Sequence, residues 1–132
     1  MGSEKFRTLY KKYPELLSDN TTIDCDEGLY AIIEEMLIAI KTYQDVNLGT
    51  TSLIPTVINF IEIKFGVLNI DYSGGDELVQ HVVNFAKKIS FKTCELCGNI
   101  GELYCSTRWL HWSHKKTLCK QHAIEYFYYT LH

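Results

Sequence analysis

Four side chains with metal-ligating chemistry occur as two short pairs near the C-terminal end of the sequence. Cys94 and Cys97 form a C-x2-C pair, Cys119 and His122 form a C-x2-H pair, and 21 residues separate the pairs. Two ligands three positions apart can close a tight turn around one ion, and the intervening chain lets the two pairs face each other. Gly98 allows the positive φ that a zinc knuckle requires after its second cysteine. The spacing predicts a tetrahedral metal site.

Three thiolates and one imidazole favour zinc over other metals. Zinc accepts sulfur and nitrogen ligands, whereas an iron–sulfur cluster usually requires four cysteines. The main alternative is a redox C-x-x-C pair, but that motif normally opens a helix of a βαβ unit and needs no second pair. Because four protein ligands leave no position for water, we predict a structural zinc ion with an apparent binding energy of about 10 kcal/mol.

Other residues of the same region leave alternatives open. Cys105, His111 or His114 could replace His122 as a ligand or form a second site. The pair His111-x2-His114 could also supply the acid–base groups of a His-metal nuclease, although histidines beside tryptophans are more often ordinary hairpin residues. A zinc deaminase is still less favoured as a hypothesis, because the H-x-E and P-C-x-x-C segments are both missing. We therefore predict no catalytic residues.

Composition and charge limit the class of protein. A chain of 132 residues suits one domain with an ordinary apolar core. The five cysteines are an odd number, and no charged segment followed by an apolar one precedes them, which favours a reducing cytoplasm over export. Acids interrupt the longest apolar runs, so no membrane partner is expected. The net charge of −3 gives no global attraction to nucleic acid, although basic residues exceed acids between residues 87 and 120.

Hydrophobic periodicity predicts three helices in residues 1–90. The first ends before Pro14, and residues 21–30 are predicted as a loop. The second begins at Gly28, is capped by Asp24 or Asp26, and has an apolar face of four turns. Asp76 is predicted to cap the third, which carries one apolar stripe formed by Leu78, Val82, Phe85, Ala86 and Ile89.

Residues 56–75 are rich in β-branched and aromatic side chains and predict a β-hairpin that turns at Phe65-Gly66. Its first arm, residues 56–64, would also suit a helix. The predicted fold class is therefore α+β, with helices packed on a small antiparallel sheet.

The C-terminal part is predicted to resemble a treble-clef zinc finger. The knuckle would be followed by a hairpin within residues 101–113 and by a helix that begins near Cys119 and continues through residues 122–132. We expect a single domain over residues 1–132, with an α/β core part at 1–90 and a zinc-binding subdomain at 91–132.

Motifs between residues 13 and 123 resemble those of a family of small uncharacterised phage and prophage proteins. The matching segments occur in order: YPELL at 13–17, CDEGLY at 25–30, IKFGVL at 63–68, TCELCG at 93–98, and TLC with His122-Ala123 at 117–123. The departures are Leu29 where the family has Trp, LNID at 68–71 where it has a basic segment, and a longer stretch at 105–116. The resemblance implies a phage origin and a zinc-bound end, but no established activity.

The functional hypothesis is a non-enzymatic, zinc-stabilised phage accessory protein of the host cytoplasm. It would inhibit host defence by binding a host protein or by sequestering a nucleotide signal. Aromatic side chains are favoured interface anchors, and the candidate binding surface comprises Arg108, Trp109, Trp112, Lys115, Lys116, Tyr126 and Tyr129. A homodimer could also use this surface. The alternative is a zinc finger that binds nucleic acid, and a His-metal nuclease is less favoured.

Overall fold

A computed structural model describes residues 4–47, 54–106, 115–125 and 128–130, without the side-chain surroundings of Ser106 and residues 128–130. In chain order these residues form α1 (Glu4–Lys12), β1 (Leu17–Asp24), a 3-10 helix (Glu27–Leu29), α2 (Tyr30–Asn47), β2 (Val57–Lys64), β3 (Val67–Ser73), α3 (Glu77–Ser90), β4 (Glu102–Ser106), β5 (Lys115–Leu118), α4 (Lys120–Glu125) and β6 (Tyr128–Thr130). The fold is mixed α+β, as predicted. None of the described helices has the length and apolar content of a membrane span.

The first sheet has the strand order β1-β2-β3 and is mixed, not antiparallel as predicted. β1 runs parallel to β2, with Ile23 opposite Ile61, and β2 runs antiparallel to β3, with Ile61 opposite Ile70. A parallel pair needs a long crossover connection, and α2 lies in that connection.

The strand β1 contradicts the loop predicted for residues 21–30. Its sequence, LSDNTTID, has few of the apolar or aromatic residues that indicate a strand. Contacts made by Thr21 compensate for this, because its hydroxyl donates to the carbonyl oxygen of Ile58 at 2.6 Å and its own carbonyl accepts from the Tyr10 hydroxyl at 2.6 Å. The strand therefore depends on tertiary contacts.

The predicted hairpin is confirmed as β2 and β3. Lys64 pairs with Val67, so the loop has two residues, and both have positive φ: 56° at Phe65 and 77° at Gly66. Positive φ at both central positions is the geometry of a type I′ turn, whose twist matches that of the flanking strands. The ambiguous first arm is a strand.

Helices α1, α2 and α3 supply most of the apolar core that lies against this sheet. The predicted apolar face of the second helix is buried at five positions, namely Leu29, Ile33, Met36, Leu37 and Ile40. Asp26 is the N-cap residue of the 3-10 helix that leads into α2, but its side chain makes no capping hydrogen bond. Asp76 caps α3 as predicted: its carboxylate accepts from the backbone N–H groups of Leu78 and Val79 and from the Tyr43 hydroxyl.

Helix α3 faces the core with a different set of side chains from the predicted stripe. Val79, Val83, Ala86 and Ser90 are buried, whereas Leu78, Phe85 and Ile89 are exposed. The sequence carries two adjacent apolar stripes on this helix, and packing selects the one that starts at Val79. Ala86 belongs to both.

The C-terminal sheet has the order β5-β4-β6 and is antiparallel. The predicted start of the last helix near Cys119 is confirmed, because α4 begins at Lys120. Its predicted continuation to residue 132 is wrong, because α4 ends at Glu125 and Tyr128–Thr130 pair with β4. Tyrosines favour strands, and β6 pairs with the edge of β4 that is opposite to β5. The C-terminal hairpin has its arms at β4 and β5, so its second arm lies beyond the predicted bounds of residues 101–113. The residues that connect these arms, 107–114, lie outside the described residues. They include Arg108, Trp109, His111, Trp112 and His114. Tyr126 is also outside the described residues.

Candidate metal centre

Two local structures position the four predicted ligands. The first is a turn in which the backbone N–H of Gly98 donates to the carbonyl of Cys94 at 2.9 Å, and Gly98 adopts a φ of 83°. The second is the start of α4: Cys119 immediately precedes the helix and His122 lies in its first turn. The backbone N–H of Ala123 donates to the Cys119 carbonyl at 2.9 Å, so the chain is already helical where the two side chains converge.

The ligand atoms of Cys94, Cys97, Cys119 and His122 all lie within 4.8 Å of one another. The Sγ atoms of Cys97 and Cys119 are 3.7 Å apart, and His122 Nδ1 lies 3.5 Å from Cys94 Sγ and 3.2 Å from Cys119 Sγ. A tetrahedral zinc ion with ordinary bond lengths sets sulfur–sulfur edges of about 3.8 Å and sulfur–nitrogen edges of about 3.6 Å. The cluster therefore fits a zinc ion, and its sulfur separations are much too long for a disulfide.

Ionisation of the thiols is consistent with a cation between them. Burial works to raise the pKa of Cys94, but backbone N–H groups of Cys119, Cys97 and Leu96 and the His122 side chain outweigh it and hold that pKa at about 7. The Asn99 N–H lowers the pKa of Cys97, yet burial and the neighbouring thiols Cys94 and Cys119 leave it raised. Crowded thiolates repel each other, and a divalent ion removes this penalty.

His122 presents Nδ1 to the sulfurs, and its Nε2 lies 4.0 Å from a carboxylate oxygen of Glu125 on the same helix. Metal-bound histidines commonly have a carboxylate on the other ring nitrogen, which orients the ring. The remaining cysteines, Cys25 and Cys105, are not part of the cluster. Burial, followed by the charges of Asp26 and Asp24, raises the pKa of Cys25 to about 12, so this thiol stays protonated.

Glu95 is a functional residue that the sequence did not reveal. It lies between the two cysteines of the knuckle and is only 1% exposed. Its Oε2 accepts from the backbone N–H of Thr117 at 2.8 Å, and Lys116 Nζ lies 3.8 Å from its Oε1. Burial raises its pKa, while Thr117 and Lys116 oppose that shift. Glu95 thus ties the knuckle to β5, which leads directly to Cys119.

The C-terminal part is also fixed to the core part through two glycines, one in contact with the knuckle and one with β5. The backbone N–H of Gly28 donates to the Glu95 carbonyl at 2.9 Å, and a Cβ added at Gly28 would lie 2.4 Å from the carbonyl oxygens of Cys94 and Glu95. The Thr117 hydroxyl donates to the Gly66 carbonyl at 2.8 Å. The candidate metal centre therefore lies where the C-terminal part meets the core. The sequence signal was present, since both glycines belong to the resemblance motifs, but their contact was not predictable.

The structure places only part of the predicted binding surface. Lys115 and Lys116 lie on β5 and are half-buried, and Lys116 faces the buried Glu95. Tyr129 belongs to β6, opposite Cys105. The pairing of Lys116 with Glu95 lowers the positive charge that this strand can offer to phosphate groups.

No protein-family model matches the chain, and no curated protein or solved structure is significantly similar to it. The case for a function therefore depends on the geometry of the site.

Proposed function

We propose that this chain is a non-enzymatic binding protein whose C-terminal part folds around a structural zinc ion. The observation that carries the proposal is the convergence of four ligand atoms, all from this chain, within 4.8 Å. Three thiolates and one imidazole complete a tetrahedral shell, so a zinc ion there has no open position for a water or a substrate. An ion of this kind stabilises a fold and does not act as a Lewis acid.

The order of elements around the cluster supports a treble-clef-like arrangement. The knuckle with Cys94 and Cys97 comes first, the antiparallel pair β4 and β5 follows, and Cys119 and His122 lie at the start of α4. A small second core surrounds the ligands, formed by Cys94, Tyr104, Leu118, Cys119 and Ala123. Among the residues that the structure describes, this second core has five buried members, and small cores of this kind are commonly completed by a structural zinc ion.

Metal content tests the zinc proposal. We expect one zinc ion per chain in protein purified without a metal-binding tag, because the four ligands are already close together. Cys119→Ser should lower zinc affinity by at least about 100-fold, since it removes a direct ligand. Cys105→Ser is the matched control, because Cys105 is not part of the cluster, and it should keep its zinc.

Cobalt substitution tests whether the shell is closed. The Co²⁺ form should show tetrahedral d–d absorption with thiolate charge-transfer bands, and added azide or cyanide should leave the spectrum unchanged because no ligand position is free. A spectrum that changes with these anions would mean an open, catalytic type of site and would contradict the structural role.

The resemblance to phage proteins supports an extension of the proposal to a partner. The partner would be a host protein, or a small nucleotide signal, of a defence system in the bacterial cytoplasm. Co-purification of zinc-loaded chain from host cells, followed by mass spectrometry of proteins and nucleotides, should recover it in stoichiometric amount. Recovery of nucleic acid that is released by salt would instead favour the zinc-finger alternative.

A further inference from the structure

An apolar row of side chains on α3 faces away from the core. Leu78, Phe85 and Ile89 are 45%, 65% and 38% exposed, and Val82 is half-buried. Successive members of this set, which we call the α3 seam, are four, three and four residues apart. This spacing is typical of the contact face of a helix, and the buried stripe of α3 has it as well, so the seam is a second contact face on the same helix.

A groove of about 670 Å³ continues the α3 seam towards α2. Three of its lining residues are alanines, Ala31 and Ala39 on α2 and Ala86 on α3, so a large side chain from outside can enter between the helices. Among the residues that line the groove, only Glu35 and His81 have ionisable side chains. Seam and groove together form a continuous apolar face, and faces of this kind mark interaction sites.

The charges beside the seam complement themselves under a two-fold axis. Glu77 lies in the first turn of α3 and Lys88 in its last, and both are exposed. If a second α3 runs antiparallel, with the axis between residues 83 and 84, Val82 of one copy faces Phe85 of the other and Leu78 faces Ile89. Glu77, which also lies 3.6 Å from His81 of its own helix, is then two residues from the position opposite Lys88 of the other copy, within reach of an ion pair that symmetry makes twice.

We propose that the α3 seam and the adjoining groove form a homodimer interface. The two α3 helices pack antiparallel, and Phe85 of each copy enters the groove of the other. A second copy is the occupant because the flanking charges of α3 match those of the same helix reversed, and the spacing of the seam is compatible with a partner helix. This interface is separate from the candidate metal centre and goes beyond the proposed function.

Sedimentation equilibrium of the zinc-loaded full chain tests the interface. Wild-type protein should be a dimer at roughly 100 µM and should dissociate on dilution. Phe85→Glu should weaken dimerisation by at least about 100-fold, because it places a charge at the centre of the apolar interface. Gln80→Glu is the matched control: it adds the same charge to an exposed position of α3 that is not part of the seam, and it should leave the dimer intact. Metal content and circular dichroism verify that both variants are folded.

A charge exchange tests the antiparallel arrangement. Glu77→Lys and Lys88→Glu should each weaken the dimer about three- to tenfold, because each turns both ion pairs into like-charge contacts. The double variant should return to wild-type affinity. A wild-type chain that stays monomeric, a Phe85→Glu variant that still dimerises, or a double variant weaker than the single ones would each overturn the proposal.

Discussion

The thiol of Cys94 connects the candidate metal centre to pH. Its ordinary pKa is 9.0, and hydrogen bonds from backbone N–H groups hold it at about 7 in the folded chain against the opposing effect of burial. The folded-state pKa is therefore the lower one, so ionisation of Cys94 stabilises the metal-free fold. This contribution is complete above pH 9.0, shrinks as the pH falls, and is lost below about pH 7.

Zinc affinity should depend on pH more steeply below about pH 7 than above it. Below that pH the ion must displace a proton from Cys94, whereas above it the thiolate is already present. The slope of the logarithm of zinc affinity against pH should therefore increase by at least about one as the pH falls from about 8 to about 6, because the proton of Cys94 is added to those that the other ligands release. Competition titrations with a chromophoric chelator, corrected for the protonation of the chelator, measure this slope. An identical slope on both sides of neutrality would contradict the lowered pKa.

Helix α3 illustrates how packing chooses between alternative faces of one element. Half of its residues are apolar, and they form a face wide enough to hold two stripes, so periodicity cannot decide which stripe meets the core. In the fold, the stripe with Val79 and Val83 belongs to the buried core, and the stripe with Leu78 and Phe85 is exposed. Both stripes repeat at intervals of four, three and four residues, so only the fold decides which of them is left exposed for a partner.

Matched truncations on the two faces of α3 should differ in their effect on stability. Val79→Ala removes two methyl groups from a side chain that is 1% exposed and should lower the free energy of unfolding by about 2 kcal/mol. Phe85→Ala removes a larger but mostly exposed side chain and should lower it by less than about 1 kcal/mol. Urea unfolding in dilute solution, where the chain is monomeric, measures both values. A larger loss for Phe85→Ala would mean that α3 is rotated from the orientation described.

Two apolar cores of unequal size make up the described part of the molecule. The larger lies between the three N-terminal helices and the mixed sheet, and the smaller surrounds the candidate metal centre. They are joined where Gly28 meets the backbone of Cys94 and Glu95 and where Thr117 meets Gly66. Metal binding should therefore stabilise the core part as well as the C-terminal part.

Gly28→Ala should separate the stability of the two parts. The added methyl group would lie 2.4 Å from two backbone carbonyl oxygens, so the knuckle must move away from the core, at a cost of about 3 kcal/mol. In wild-type protein a chelator should lower the melting temperature of the whole chain. In Gly28→Ala the chelator should destabilise the C-terminal part alone. The hydrogen-exchange rates of β2 and α2, which belong to the core part, should then stay unchanged. Glu27→Ala, at an exposed neighbouring position, should behave like wild type.

Local sequence determined the features that depend on short spacings. The knuckle, the C-x2-H pair at α4, the Asp76 cap and the two-residue turn at Phe65-Gly66 all follow from residues a few positions apart. Each of these structures is formed by backbone hydrogen bonds and turns between residues a few positions apart. Their residue types were therefore sufficient to predict them.

Only the tertiary structure decided the features that depend on distant partners. β1 is a strand because β2 and Tyr10 satisfy its backbone, although its own side chains favour a loop. Tyr128–Thr130 form a strand because β4 offers an open edge, and Glu95 is buried because Thr117 donates to it. Hydrogen bonds and burial between residues far apart in sequence outweigh local propensity, since an unpaired buried polar group costs more than an unfavourable propensity.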